Sequence, residues 1–407
     1  MKQFLFKTLL ATGITATIVG CNKEAIQESN LTDPSAPTSL SAAVEGHYIV
    51  QLDASFARDL LEGVLDYQQR NVILKGQIEL MLQLAGLADV EVGFTYHSTI
   101  IGFSAILDDA QRQILENLPF VIRIEQDLTV HINDTKIEPN TNKSSSQQTP
   151  YGINRVGSVD GSGKRAYVID TGVDLDHPDL NVNKDLSISY TGGGVIGEVT
   201  GNGDGNDDHG HGTHVAGIIA AKNNGIGVIG VAHDAEIVAV KVLAANGSGT
   251  MTGVIAGVDY VALNGMPGDV ANMSLSGSAF DLLDLVVTIA SSKGIMFALA
   301  AGNDRHDANL NSPARANGAN IYTVSAMNSS DRWASFSNYG NPPVDYCAPG
   351  AGILSTFKNG GYRTLSGTSM AAPHIAGILL ARGGAPLTDG YVSNDPDGNA
   401  DPIGVVY

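Results

Sequence analysis

Four short, glycine-flanked segments spread over half of this chain constrain its fold more than any bulk property, because each carries one reactive side chain and none can act alone. Asp170 stands in Val168-Ile169-Asp170-Thr171-Gly172, and His211 in His209-Gly210-His211-Gly212-Thr213-His214. Asn303 follows Ala300-Ala301-Gly302, and Ser369 stands in Gly367-Thr368-Ser369-Met370-Ala371-Ala372-Pro373-His374. Residues 165–169 read as a short buried strand, which puts Asp170 at its carboxyl end. Residues 213–221 and 370–380 read as helices, which puts His211 and Ser369 at their amino ends. Reactive groups gather at the carboxyl ends of strands in open α/β sheets, so a parallel sheet flanked by helices is expected. Strand candidates at 237–242, 270–273, 296–300 and 321–325, alternating with helical stretches at 252–263 and 282–293, carry the same pattern.

Taken singly, each segment has an ordinary reading. An Asp before Thr-Gly is a turn residue, a Ser opening an apolar run is a helix cap, and an Asn after Gly is a turn. Agreement of all four in order and local sequence outweighs those readings. A serine hydroxyl attacks only when a neighbouring imidazole takes its proton, and an aspartate holds that imidazole in the right tautomer. With an acid, a base and a nucleophile in the order Asp, His, Ser, the chain resembles the subtilisin-like serine peptidases, in their proteinase K and subtilisin branches, from about residue 48 to about residue 380. The resemblance implies an endopeptidase working through an acyl-enzyme. Ser369 is then the nucleophile, His211 the general base and later acid, Asp170 the group orienting His211, and Asn303 the side-chain donor to the oxyanion. A catalytically silent relative acting as a surface binding protein is the alternative; its usual mark is a lost triad residue, and none is lost here.

The run His209, His211, His214 also has the look of zinc ligands. That reading needs further ligands elsewhere and leaves the Ser369 and Asn303 segments unexplained. His209 is therefore expected in a loop, and His214 on a helix with its ring satisfied.

A net charge of −19 excludes a nucleic-acid partner, since phosphate binding needs a basic surface. Lys2 and Lys7 precede an apolar run from residue 8 to 20, the pattern of a signal peptide (1–20) and too short to span a membrane. Ile18-Val19-Gly20-Cys21 resembles a lipoprotein signal with lipid on Cys21; plain cleavage beside an incidental cysteine is the alternative. Either way the protein is exported. Cys347 is expected as a buried thiol. Residues 21–45 read as a tether. Residues 46–132 give a strand at 47–52, a long helix at 55–87, strands at 90–96 and 99–107, a helix capped by Asp108 with Ala110, Ile114, Leu115 and Leu118 on one face, and a strand at 121–125. That β-α-β-β-α-β order is ferredoxin-like α+β. The segment resembles the inhibitor-type propeptide of subtilisins, with a longer first helical stretch, and the resemblance makes it an intramolecular inhibitor and chaperone. Residues 133–149 read as a linker holding the maturation cut, and 150–407 as the catalytic domain. A cut there leaves any lipid on the propeptide side and frees the enzyme from the membrane.

The resemblance also assigns a groove that binds a protein or peptide substrate as an extended strand. Gly247, Ser248 and Gly249 form one edge, and Ser274, Leu275, Ser276 and Gly277 the other. Ala300, Ala301 and Gly302 form an apolar pocket floor, and Met251, Val254 and Leu275 a second apolar pocket. Specificity is then broad, favouring apolar or aromatic residues, although Ser276 replaces the usual glycine at the rim; an innocuous loop serine is the other reading. Asn223-Asn224-Gly225-Ile226-Gly227-Val228 resembles a tight calcium loop, with side chains of Gln147, Asp179 and Asn224 and carbonyls of Lys222, Ile226 and Val228 as ligands; a plain surface turn is the alternative. The acidic runs 204–208 and 395–401 read as solvated loops. The tail beyond Gly383 departs from the family pattern.

Overall fold

The strand that ends in Asp170 lies inside a ten-stranded sheet, buried on both faces. The computed structural model describes residues 41–132, 136–137, 146–191 and 205–407, the pair 136–137 by backbone alone. The signal peptide, Cys21, most of the tether and most of the linker lie outside the described residues.

The N-terminal lobe comprises β1 (Ala43–Leu52), α1 (Tyr67–Leu84), β2 (Val92–Tyr96), β3 (Ile101–Ile106), α2 (Asp109–Glu116) and β4 (Val121–His131). Its antiparallel sheet runs β4-β1-β3-β2, the ferredoxin-like order expected. Three details differ from the sequence reading. The single helix expected over 55–87 is broken, because Gly63 takes φ +76° and Asp66 caps a new helix through the Gln69 amide. Asp108 forms a full capping box with Gln111, but Ala110 and Ile114 face solvent while Leu115 is buried. Residues 41–45 are not a free tether: Ser41 exchanges hydrogen bonds with Ser278, and β1 begins at Ala43.

In the larger lobe the strands β5 (Arg165–Asp170), β6 (Glu236–Lys241), β7 (Val270–Met273), β8 (Met296–Ala300), β9 (Ile321–Met327) and β10 (Val344–Pro349) are parallel, in the order β10-β9-β8-β7-β5-β6. Successive side chains point to opposite faces, so the near-continuous apolar runs divide between two cores. Ala166 and Val168 pack with α3 (His211–Ala220) and α6 (Thr368–Arg382). Tyr167 and Ile169 pack on the other face with α4 (Met251–Asn264) and α5 (Asp281–Ser291). The tail does not hang free. Beyond β11 (Ile353–Phe357), which pairs antiparallel with residues 361–365, the hairpin β12 (Leu387–Tyr391) and β13 (Pro402–Val405) extends the sheet, with β13 parallel to β10. Asp401, at the end of the acidic run expected to be solvated, is 1% exposed and accepts hydrogen bonds from Ser325 and Asn341. Cys347 is buried, and burial pushes its thiol up.

The N-terminal lobe lays its sheet on α4. Ile49, Tyr96 and Val130 join the same apolar cluster as Val254 and Val258. Asp127 accepts from the Thr252 amide at 3.0 Å, satisfying an opening amide of α4. In return Asp259, fully buried on α4, accepts from the amides of His97, Ser98 and Thr99 and from the Thr99 hydroxyl, at 2.7–3.0 Å. Replacing Asp259 with alanine leaves those donors buried without an acceptor. Asp259→Ala should weaken the hold on the N-terminal lobe by about 2 kcal/mol or more, read as a lower denaturant midpoint for separation of the lobes, followed by fluorescence.

Candidate active site

Asp170 is the last residue of β5 and His211 the first of α3, so strand end and helix start bring acid and base together. His211 Nδ1 lies 2.7 Å from Asp170 Oδ1, both side chains fully buried. Gly212 makes the approach possible: a Cβ there would collide with the Gly172 carbonyl and stand 3.1 Å from Asp170 Cβ. Ser369 is the second residue of α6, 3% exposed, with Oγ 3.5 Å from the Ser274 carbonyl. Ser274 Oγ donates to the Ser369 carbonyl at 2.9 Å and fixes the backbone that carries the nucleophile. Asn303 Oδ1 accepts from the Thr368 amide at 2.8 Å and the Thr368 hydroxyl at 3.0 Å. Its oxygen is thereby engaged, and the Nδ2 end is the one able to donate to an incoming oxyanion.

Asp207 is a residue the sequence reading missed. Expected in a solvated run, it is 5% exposed and accepts from the amides of His209, Gly210 and Thr213 and from the hydroxyls of Thr171 and Thr213. It caps the helix that carries His211 and grips the residue after Asp170. A carboxylate four positions before His211, at a helix start, was the available signal. The neighbouring Asp208 pairs with Lys241, and Asp204 lies outside the described residues. The three histidines do not form a metal site. His211 is taken by Asp170, and His214 Nε2 lies 3.1 and 2.9 Å from the carbonyls of Ile353 and Arg363.

The segments expected to edge a groove pair with the chain itself. β4 runs antiparallel to residues Ser248–Thr250, with Val130 opposite Gly249. His131 exchanges both backbone hydrogen bonds with Ser276 at 3.1 Å, and the Ile132 amide donates to the Gly247 carbonyl at 3.1 Å. Val130 is buried in one cluster with Met251, Val254 and Leu275, and a Cβ on Gly277 would touch both Val130 and Met251. Ala300 and Ala301 are buried at and beyond the end of β8; Ala300 belongs to the core under α6, and Ala301 packs with Ala308, Ala314 and Val344.

Gln147, Asp179, Asn224 and the carbonyls of Lys222 and Val228 also converge. Gln147 Nε2 is 2.6 Å from Lys222 O and 3.1 Å from Val228 O. Asp179, buried, accepts from Asn224 Nδ2, the Val228 amide and the Tyr362 hydroxyl, yet burial pushes its carboxyl up to about 6. Ile226 is at the exposed tip, its amide bonded to Asn224 Oδ1.

Residues 162–381 match the subtilase family, and residues 47–133 match the peptidase inhibitor I9 family. This chain is a subtilase. It is similar to alkaline serine exoprotease A of Vibrio alginolyticus, 40% identical over 306 residues that cover 73% of this chain and 54% of the relative. The chain thus spans about half the length of that protein. It is also 34% identical to a cuticle-degrading serine protease of Arthrobotrys oligospora over 372 residues, 89% of this chain and 84% of that one. A crystal structure of a cold adapted subtilisin-like serine proteinase superposes with a TM-score of 0.54 at 38% identity, covering 63% of this subtilase and 97% of that chain. The subtilase carries its I9 segment on the same polypeptide, with the end of that segment paired to residues 248–250. Asp207→Ala should destabilise the subtilase by roughly 2–3 kcal/mol. It should also lower kcat about tenfold or more by loosening the His211–Asp170 geometry, measured by thermal unfolding and steady-state kinetics.

Proposed function

We propose that this subtilase is an exported, self-processing serine endopeptidase acting on protein and peptide substrates. The Ser369 hydroxyl attacks the scissile carbonyl carbon as His211 takes its proton. Asp170 holds the ring and stabilises the imidazolium, and Asn303 donates to the oxyanion. Collapse of the tetrahedral intermediate breaks the C–N bond, with the His211 proton passing to the leaving amine. Water then attacks the acyl-enzyme through the same base and frees Ser369. The single observation that carries this reading is the pairing of β4 with both groove edges, in a chain whose Asp170 and His211 meet at 2.7 Å. A peptide added as a strand to an exposed edge is how such a groove takes a substrate.

The N-terminal lobe, residues 46–132, is proposed as an intramolecular inhibitor and folding template, cut from the catalytic domain (150–407) within 133–149. With lipid on Cys21 the precursor is membrane-held, and the cut releases an extracellular enzyme. Full-length chain lacking the leader, compared with Ser369→Ala by intact mass, tests this. The parent should lose its N-terminal fragment and the variant stay whole. If both stay whole and neither digests an unfolded protein, the binding-protein reading replaces it.

Calcium is the proposed structural ion. Both Asp179 oxygens and the carbonyls of Lys222, Ile226 and Val228 offer oxygen donors, and rotating the Gln147 and Asn224 amides, whose nitrogens now face those oxygens, would complete the all-oxygen set a calcium ion takes. The ion would neutralise a buried carboxylate and tie residues 147–148 to the loop they already pair with. It takes no part in bond breaking. At a calcium concentration about 100 times its Kd, stabilisation is about 2.7 kcal/mol. Chelation should therefore lower the apparent Tm by roughly 5–10 °C, and Asp179→Asn should remove the dependence on calcium.

A further inference from the structure

The strand β8 stops at Ala300, and its ladder gives out one residue later, where the Ala301 amide donates to the Val324 carbonyl at 3.0 Å. Asn303 lies just past that point, in a turn whose backbone is left-handed at Gly302 (φ +107°) and again at Arg305 (φ +60°). Such a turn has no helix or sheet to hold it, so its backbone groups need partners from elsewhere. One residue from a distant loop supplies several of them. Asn338, fully buried, donates from its own amide to the Gly302 carbonyl at 2.9 Å and from Nδ2 to the Ala301 carbonyl at 3.0 Å. Its Oδ1 accepts from the Asp304 amide at 2.8 Å and the His306 amide at 3.3 Å. These partners bracket Asn303 on both sides in the chain. A Cβ on Gly302 would collide with the Asn338 amide, so the approach requires a glycine there.

Asn338 is itself fixed. Its Nδ2 also lies 3.3 Å from Asn311 Oδ1, and the buried Asn311 donates from Nδ2 to Ser276 Oγ at 3.1 Å and to the Gly277 carbonyl at 3.2 Å. Both hydrogens and both lone pairs of the Asn338 amide are thereby matched, which leaves no second orientation for it. The side chain of Asn303 is held from another direction. Its Oδ1 accepts from the amide and hydroxyl of Thr368, the residue before Ser369, and Thr368 Oγ1 accepts from the Gly302 amide at 3.1 Å. The backbone beneath Asn303 is thus set by Asn338, and the side chain by the start of α6. A donor stabilises a developing oxyanion only if it is in place before the charge appears, and a displacement of about 1 Å can cost roughly 100-fold in rate.

We propose that Asn338 is a positioning residue, aiming the Asn303 donor at the oxyanion by fixing the turn on either side of it. This rests on the endopeptidase reading and on the role of Asn303 within it. Asn338 acts through Asn303 and not on the reacting atoms. Its influence is felt where charge develops, so kcat falls while substrate affinity is kept.

Mature enzyme is made from the full chain, and any variant that fails to process itself is cut by tagged parent enzyme that is then removed. Asn338→Ala should lower kcat on a peptide substrate by about tenfold to 100-fold, with KM changed by less than about threefold. A peptide boronic acid, whose tetrahedral adduct on Ser369 sets an oxygen where the oxyanion forms, should bind more weakly by the factor that kcat falls. The deciding comparison is made in Asn303→Ala. There, adding Asn338→Ala should cost less than about threefold more, because the group it aims is gone. If Asn338→Ala does not fold, the near-isosteric Asn338→Asp keeps the acceptor, loses both donors and should show the same pattern. Losses that multiply in full in the Asn303→Ala background, or a kcat unmoved while the parent digests protein, overturn the inference and leave the endopeptidase reading standing. Failure of the parent to digest any protein sinks that reading, and the inference with it.

Discussion

One buried side chain, Asp207, holds Asp170 and His211 in one piece. Its oxygens take the Thr171 hydroxyl beside Asp170 and the opening amides of the helix that begins at His211. Those amides have no acceptor within the helix and carry its positive end, so a carboxylate there is favoured twice over, as acceptor and as charge. Beneath the same loop the Lys241 ammonium donates to the carbonyls of Thr171 and Leu243 and pairs with Asp208. With strand end and helix start bound to common partners, the short His211–Asp170 bond follows from backbone placement. Gly212 contributes by having nothing in the way.

The second lobe follows a similar logic one layer out. The helix α4 lacks an acceptor for its Thr252 amide and presents a buried carboxylate, Asp259, midway along its length. The N-terminal lobe supplies what each lacks: an acceptor from Asp127, and four donors from the turn between β2 and β3. These contacts set the height and angle of the small sheet, so its last strand leaves in line with the groove. Residues 247–250 and 276 hold that strand by its backbone, and Val130 packs among Met251, Val254 and Leu275.

Much of the large lobe was legible because parallel strands buried on both faces must be short and apolar, and because the reactive residues sit where strands end or helices begin. The strands over 270–273 and 296–300 fall where the pattern put them. The ferredoxin-like order was legible from alternation of periods. What stayed hidden turns on which of several similar side chains points inward. Asp401 sits in a run of carboxylates with no local rule to say which member is buried, and for Asp207 the one cue was its place four residues before His211 at a helix start. The break in the first helix depended on the left-handed turn at Gly63 and the cap at Asp66 outweighing an otherwise continuous helical pattern. Asn311 and Asn338 reach Ser276 across distances in sequence that no motif spans.

Residues 402–405 form β13, parallel to β10, with Asp401 held just before it by Ser325 and Asn341. In a chain made from its amino end, this strand emerges after the N-terminal lobe and after the other strands of the sheet it joins. Until β13 arrives, β10 is an open edge, able to recruit a strand from any neighbouring chain. The N-terminal lobe can already sit over the groove during that interval. The segments around Gly247 and Ser276 can thus be covered as soon as they assemble, while the sheet edge at β10 waits for β13 to seal it.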